Sequence, residues 1–259
     1  MGTSIRRVVV TGAASGIGAA LAARLTAAGH DVVGVDRAEG AEVRCDLADA
    51  AAVDTAAARI LAGGAPDGLA LVAGVPGTAP AATVYAVNVL GLRRLAEALT
   101  PAMPSGSAIV LLASMAGYRG TLSEAEADAL LDLPDAELAP ALAALGLDGP
   151  EAYQVSKQLV HRHTLRLAAR LHPAGVRCVS VSPGPVATPI LADFRATMPS
   201  LDVAAEIVGR HARPEEIAAI ADFALSPEAS WLNGVDLRAD GGLTALRQIP
   251  ASQIPAVRS

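Results

Sequence analysis

Hydrophobic positions along the 259-residue chain fall into two alternating kinds of run. Short β-branched runs at Val8–Val10, Asp31–Val35, Leu69–Val72, Ala108–Leu112, Val176–Val181 and Val235–Arg238 read as strands. Ala- and Leu-rich amphipathic stretches near 16–28, 49–62, 80–99, 151–172 and 214–226 read as helices. Strand runs apolar at consecutive positions are buried on both faces, as in a parallel sheet covered by helices. The alternation predicts a doubly wound α/β fold. No repeat or change of composition divides the chain, so one domain is expected over residues 1–259.

Two regions break the rhythm. Residues 119–150 fall where a short loop would join a strand to a long helix. Ser123 and Glu126 form a capping-box pattern, Pro134 interrupts, Asp135 is placed to cap a second helix, and Gly146 to end it. An inserted helical hairpin is expected. Residues 243–259 hold two Gln-Ile-Pro triplets, whose prolines favour an extended tail over a packed helix.

Composition narrows the setting. A hydrophobic content of 52% allows a large core, and a net charge of −6 without a basic cluster argues against nucleic-acid binding. Cys45 and Cys178 stand alone, which points to a reducing cytoplasm. Val8–Val10 is too short for a signal-peptide core, and charges interrupt the Ala-rich stretches, so no membrane span is expected. His161 and His163 sit two apart and point to different helix faces; they read as surface histidines, and no metal site is expected.

The chemistry begins at Thr11-Gly12-Ala13-Ala14-Ser15-Gly16-Ile17-Gly18, between the first strand and the first helix. Glycines there let the backbone approach a pyrophosphate, which the helix N-terminus attracts. Asp36 ends the second strand 18 residues beyond Gly18, where a carboxylate accepts hydrogen bonds from an adenosine ribose and repels a 2′-phosphate. The expected cofactor is therefore NAD, with NADP second because Arg37 is able to reach a phosphate. Asp46 and Leu47 are candidates for holding the adenine; the alternative for Asp46 is a helix cap. Tyr153 and Lys157 share a helix face at i and i+4. A free phenol has a pKa of about 10, and a neighbouring ammonium is expected to lower it for acid–base work.

These motifs, together with Ala73-Gly74, Asn88 with Gly91, Ser114, Pro183-Gly184 with Thr188, and Asp240-Gly241-Gly242, resemble the short-chain dehydrogenase/reductase family over nearly the whole chain. The resemblance implies a Rossmann-type sheet and an alcohol–carbonyl oxidoreductase. By that likeness Tyr153 moves the proton and Ser114 orients the substrate oxygen. Lys157 binds the nicotinamide ribose, and Asn88 holds a relay water. Pro183, Gly184, Val186 and Thr188 contact the nicotinamide side. A non-catalytic dinucleotide sensor, the rival reading, needs only the glycine turn and Asp36, whereas Tyr153, Lys157, Ser114 and Asn88 are all kept. A further role for the acidic 119–150 segment in binding a partner stays open.

Three departures refine the likeness. Leu71-Val72 stands where the family places Asn-Asn, so a sheet-bracing side chain is missing. Gly74 and Asn88 are only 14 residues apart, and Ser114 and Tyr153 are 39 apart. This pattern is similar to the subgroup that includes bacterial coniferyl-alcohol dehydrogenase and 3α-hydroxysteroid dehydrogenase/carbonyl reductase. A substrate flap is expected over 188–213. Ile190, Leu191, Phe194, Met198, Leu201, Val203, Ile207 and Val208 make it apolar, half of them packing on the domain itself, and Arg195 is expected to be solvated. A hydrophobic secondary or aromatic primary alcohol is the expected substrate. The leucine-rich insert, lying over the helices through which the family assembles or forming a new contact, predicts a homodimer whose interface includes residues 119–150; the alternative is that it folds back beside the substrate flap.

Overall fold

The computed structural model describes residues 6–189, 191, 193 and 200–249. Strands β1 (Arg7–Thr11), β2 (Asp31–Asp36), β3 (Val43–Arg44), β4 (Gly68–Leu71), β5 (Ala108–Leu112), β6 (Arg177–Pro183) and β7 (Asp236–Ala239) form one sheet of order β3-β2-β1-β4-β5-β6-β7. Every pairing is parallel. Two-residue β3 is too short to show as a hydrophobic run.

Alternation within the strands divides the core. Val9, Leu69, Leu71, Ile109 and Leu111 face α2 (Ala50–Ala62), α4 (Leu92–Leu99) and α7 (Gly149–Leu171). Val8, Val10, Ala70, Val110 and Val179 face α1 (Gly16–Ala27) and α9 (Pro214–Leu225). The remaining helices are α3 (Ala81–Tyr85), α5 (Glu124–Asp132), α6 (Asp135–Ala143), α8 (Ser200–Val208) and α10 (Leu243–Gln248). A π-helical turn, Ala86–Gly91, joins α3 to α4 where the sequence reads as one helix. It brings Gly91 against the loop after β3, where a Cβ would lie 2.1 Å from the Leu47 carbonyl oxygen.

The insert is a helical hairpin, and Ser123 and Glu126 form the expected capping box. Its Leu131, Leu138 and Leu142 are buried against Val84, Tyr85, Val89, Val155 and Leu159 of α3, the π turn and α7. Its acids meet the arginines of α7: Arg162 binds Asp128 and Glu124, and Arg166 binds Asp128 and Asp132. Asp135 does not cap α6, whose N-cap is Pro134. Its carboxylate instead binds Arg93 and Arg94. Arg93 is 4% exposed, and a guanidinium so buried requires a partner. Helix α6 ends at Ala143, three residues before Gly146.

Two further expectations change. Residues 243–248 form helix α10, because Asp240 accepts hydrogen bonds from the Gly242 and Thr244 amides at 3.0 and 2.8 Å and starts it. Residues 250–259, with the second Gln-Ile-Pro triplet, lie outside the described residues. The histidines of α7 are not surface groups. His161 meets Ser182 of β6 at 2.8 Å, and His163 is 7% exposed. Both are enclosed because the sheet, α4 and the insert cover α7 on several sides.

Burial and the nearby charges of Arg170, Arg93 and Arg166 push the His163 imidazole down to about 3 from 6.5, so it folds neutral. Its folded value lies below its unfolded value. Its contribution to stability is therefore full above pH 6.5 and is lost as pH falls toward 3. We expect His163 to cost about 2 kcal/mol of stability by pH 5 relative to pH 7. Urea unfolding at both pH values should show a smaller acid loss in His163→Leu than in the parent; equal losses would exclude this titration.

Candidate active site

The carboxyl ends of β1, β4, β5 and β6 open into a cleft of about 470 Å³. At one end is the glycine turn. A Cβ on Gly18 would lie 2.2 Å from the Gly12 carbonyl oxygen, so the close turn requires glycine there. Ser15 is the N-cap of α1 but makes no side-chain cap hydrogen bond, and Ser15, Gly16 and Ile17 line the cleft. Thr11 supplies the brace missing from Leu71-Val72. Its Oγ1 accepts from the Val72 and Ala73 amides at 2.9 and 3.0 Å, tying β1 to the end of β4.

The other part of the site comes from β5 and α7. Ser114 is the N-cap of the 3-10 turn Met115–Arg119, its Oγ accepting from the Ala116 amide at 3.1 Å. Its hydroxyl lies on the Tyr153 side of the cleft and exerts a lowering pull on that phenol. One helical turn on, Lys157 Nζ donates to the Leu112 carbonyl at 2.8 Å and lies 5.8 Å from the Tyr153 ring centroid. Both side chains are buried.

Burial pushes the Tyr153 phenol up to about 12, against an opposing pull from Ser114. It also pushes the Lys157 ammonium down to about 8. The expected lowering of the phenol by the ammonium is thus outweighed, since Nζ is directed to a carbonyl rather than to the phenol oxygen. At neutral pH the phenol is held protonated, the form that donates a proton to a carbonyl oxygen.

Asn88 is fully buried on the π turn. Its Oδ1 accepts from the Val75 amide at 2.9 Å, and its Nδ2 donates to the Val75 carbonyl at 3.0 Å and to Ser156 Oγ at 3.3 Å. Gly74 lies between Asn88 and Lys157: a Cβ there would be 3.1 Å from Asn88 Oδ1 and 3.4 Å from Lys157 Nζ.

Of the residues expected at the site, Gly12, Ser15, Gly16, Ile17, Gly18, Ala73, Gly74, Ser114, Tyr153, Lys157, Pro183, Gly184, Val186 and Thr188 line this one cleft. Asp36, Arg37, Asp46, Leu47 and Asn88 lie outside its lining. Asp36 remains against the glycine turn, accepting from the Ala14 amide at 3.0 Å and the Ala38 amide at 2.9 Å. Asp46 bonds the Ala48 amide at 2.9 Å, while Asp49 is the N-cap of α2. Leu47 is 8% exposed and packs in the core cluster beside β3.

Among the described flap residues, Thr188, Pro189, Leu191 and Ala204 line the cleft, whereas Val203 and Ile207 are exposed. Ile190, Phe194, Arg195, Met198 and the side chain of Leu201 lie outside the described residues. Sequence reasoning missed Tyr118, Arg119, Arg238, Leu243, Thr244, Arg247 and Gln248, which also line the cleft. The Gly-Gly-Leu-Thr-Ala-Leu start of α10 carried a helical spacing that the following prolines masked.

The arrangement gathers a phenol, a hydroxyl and a buried ammonium in a mainly apolar cleft that runs to a glycine turn. The turn's close packing and open helix N-terminus fit a nicotinamide dinucleotide. Residues 6–125 match the short chain dehydrogenase family, and residues 138–244 match the enoyl-(acyl carrier protein) reductase family. The chain is 35% identical over 251 residues to 3-alpha-hydroxysteroid dehydrogenase/carbonyl reductase of Comamonas testosteroni, covering 92% of this chain and 96% of that protein. It is 34% identical over 252 residues to coniferyl-alcohol dehydrogenase of Pseudomonas sp. strain HR199, covering 93% and 97% respectively. The solved structure of 3-alpha-hydroxysteroid dehydrogenase from Pseudomonas sp. B-0831, complexed with NADH, aligns with a TM-score of 0.83 and 35% identity over 93% of this chain and 98% of that one. The chain belongs to the short-chain dehydrogenase/reductase family and is a nicotinamide-dinucleotide-dependent oxidoreductase.

Two outcomes test the acid–base assignment. Tyr153→Phe removes the phenol oxygen, and we expect kcat to fall at least about 100-fold while dinucleotide binding, followed by fluorescence, is retained. A phenol pushed up to about 12 supplies its proton readily and its base form sparingly. Alcohol oxidation should therefore keep rising with pH above neutrality while carbonyl reduction does not. Near-normal turnover in the variant, or coincident pH profiles, would place the acid elsewhere.

Proposed function

We propose that the chain interconverts a hydrophobic secondary or aromatic primary alcohol and its carbonyl with NAD(H). The observation that carries this reading is the convergence of Ser114, Tyr153 and Lys157 on one cleft, Lys157 one helical turn beyond Tyr153. A bound nicotinamide would supply or accept the hydride. Tyr153 gives the proton to the carbonyl oxygen in reduction and takes it back in oxidation, and Ser114 holds that oxygen. Lys157 holds the nicotinamide ribose, and Asn88, beside it across Gly74, anchors the water relay. Pro183, Gly184, Val186 and Thr188 bound the nicotinamide side. The subgroup likeness favours a coniferyl-alcohol-like substrate, with a 3α-hydroxysteroid as the second reading. The two buried free cysteines suit a cytoplasmic setting, and among the described residues no helix is long and apolar enough to cross a membrane.

The preference for NAD rests on Asp36, whose carboxylate is fixed beside the glycine turn by two amides. A 2′-phosphate would meet that charge. We expect higher kcat/KM with NAD than with NADP in absorbance assays on aromatic alcohols and 3α-hydroxysteroids, and a narrower gap in Asp36→Ala. Equal efficiency with both cofactors in the parent would remove the preference, and failure to turn over either substrate class would remove the substrate reading.

A homodimer is the assembly we propose. The insert uses its buried leucines on its own chain. The sheet edge at β7 instead leaves Trp231 98% exposed, with Leu165 and Val235 nearby also exposed. An edge strand beside apolar side chains calls for a cover, and a two-fold copy supplies one. Light scattering should give twice the chain mass, and Trp231→Glu should shift the population toward monomer. A tetramer, or a dimer indifferent to that substitution, would refute this placement.

A further inference from the structure

The cleft carries a charge pattern that the acid–base chemistry does not use. The chain has 26 acidic residues and a net charge of −6. Among the described residues, however, the cleft lining contains no Asp or Glu and holds Lys157, Arg119, Arg238 and Arg247. Lys157 belongs to the catalytic floor. The three arginines come from the opposite end. Arg119 closes the 3-10 turn after β5, Arg238 lies in β7 and Arg247 in α10, whereas the glycine turn follows β1, beyond β4 in the sheet. They are therefore separate from the cradle that takes the cofactor's phosphates.

Arg238 is already partly balanced. Its guanidinium lies 4.1 Å from the Tyr118 ring centroid, and the Tyr118 hydroxyl donates to Asp236 at 2.6 Å. Arg119 and Arg247 are exposed and have no ion pair among the described residues. The lining also includes the apolar Met115, Pro185 and Leu243, with Thr244 and Gln248 of α10 as neutral polar groups. A neutral apolar substrate would leave both cations unmatched at the rim. A guanidinium pairs with a carboxylate through two parallel hydrogen bonds, and a cleft lined by one sign of charge concentrates the opposite ion.

We propose that the substrate is an apolar alcohol or carbonyl compound that also bears a carboxylate, and that Arg119 and Arg247 bind that carboxylate while the reacting C–O group lies at Tyr153 and Ser114. The inference rests on the alcohol–carbonyl reading above. The redox step keeps its balance: a bound oxidised nicotinamide would take the hydride of the carbinol carbon, Tyr153 in its ionised form would take the hydroxyl proton, and the carboxylate is unchanged.

The test compares carboxylated carbonyl compounds with their methyl esters, using NADH oxidation as the readout. One pair is 4-formylbenzoate and its ester; the other is a 3-oxo steroid acid and its ester. At low salt we expect kcat/KM for at least one acid to exceed that of its ester by about tenfold or more, chiefly through KM, with the gap closing as sodium chloride is added. In the Arg119→Gln/Arg247→Gln double variant the acid-to-ester ratio should fall about tenfold, and turnover of the ester reports that the variant is folded. Equal efficiency for acid and ester in both pairs, or a loss in the variant shared equally by acid and ester, overturns the carboxylate inference and leaves the oxidoreductase reading standing. Absence of turnover with both pairs and with uncharged alcohols overturns both.

Discussion

The structure depends on covering a 23-residue helix, α7, on almost every side. Successive residues of a helix turn by about 100°, so a helix this long presents each direction to a different neighbour. Tyr153 and Lys157 face the cleft. His161 faces the sheet edge at Ser182, and Arg162 and Arg166 face the insert. His163 faces a dry region beside Arg93. Holding the catalytic pair at fixed depth therefore requires all of these contacts at once, and the hairpin of residues 119–150 provides one whole wall.

Charge is distributed by the same constraint. Four of the insert's acids, Glu124, Asp128, Asp132 and Asp135, pair with arginines of α4 and α7 where that wall packs. Most of these pairs are partly exposed and contribute little individually to stability; the buried Arg93–Asp135 contact matters mainly because losing either partner would strand a charge. The cleft is treated oppositely. Its lining, among the described residues, holds cations and no acid, whereas the chain as a whole carries a net charge of −6.

Much of the fold, and the residues that line the candidate cleft, were legible along the chain. Val8–Val10 and Ala108–Leu112 announced buried strands because a parallel strand covered on both faces has no polar position. The glycine turn, Tyr153/Lys157 and the Ser123–Glu126 cap were legible for a related reason: each works through neighbours three to seven positions away. Burial of Tyr153 was not, and it reversed the expected direction of the phenol's shift.

Local sequence thus determined the strand–helix alternation, the glycine turn and the shared helix face of Tyr153 and Lys157, since their geometry is set by backbone periodicity. Only the tertiary structure decided which side chains would meet across the sheet. It gave Asp135 to Arg93, Leu47 to the core, His163 to the interior, and Arg119, Arg238 and Arg247 to one cleft. These partners are separated by tens to more than a hundred positions, and only packing sets their distance.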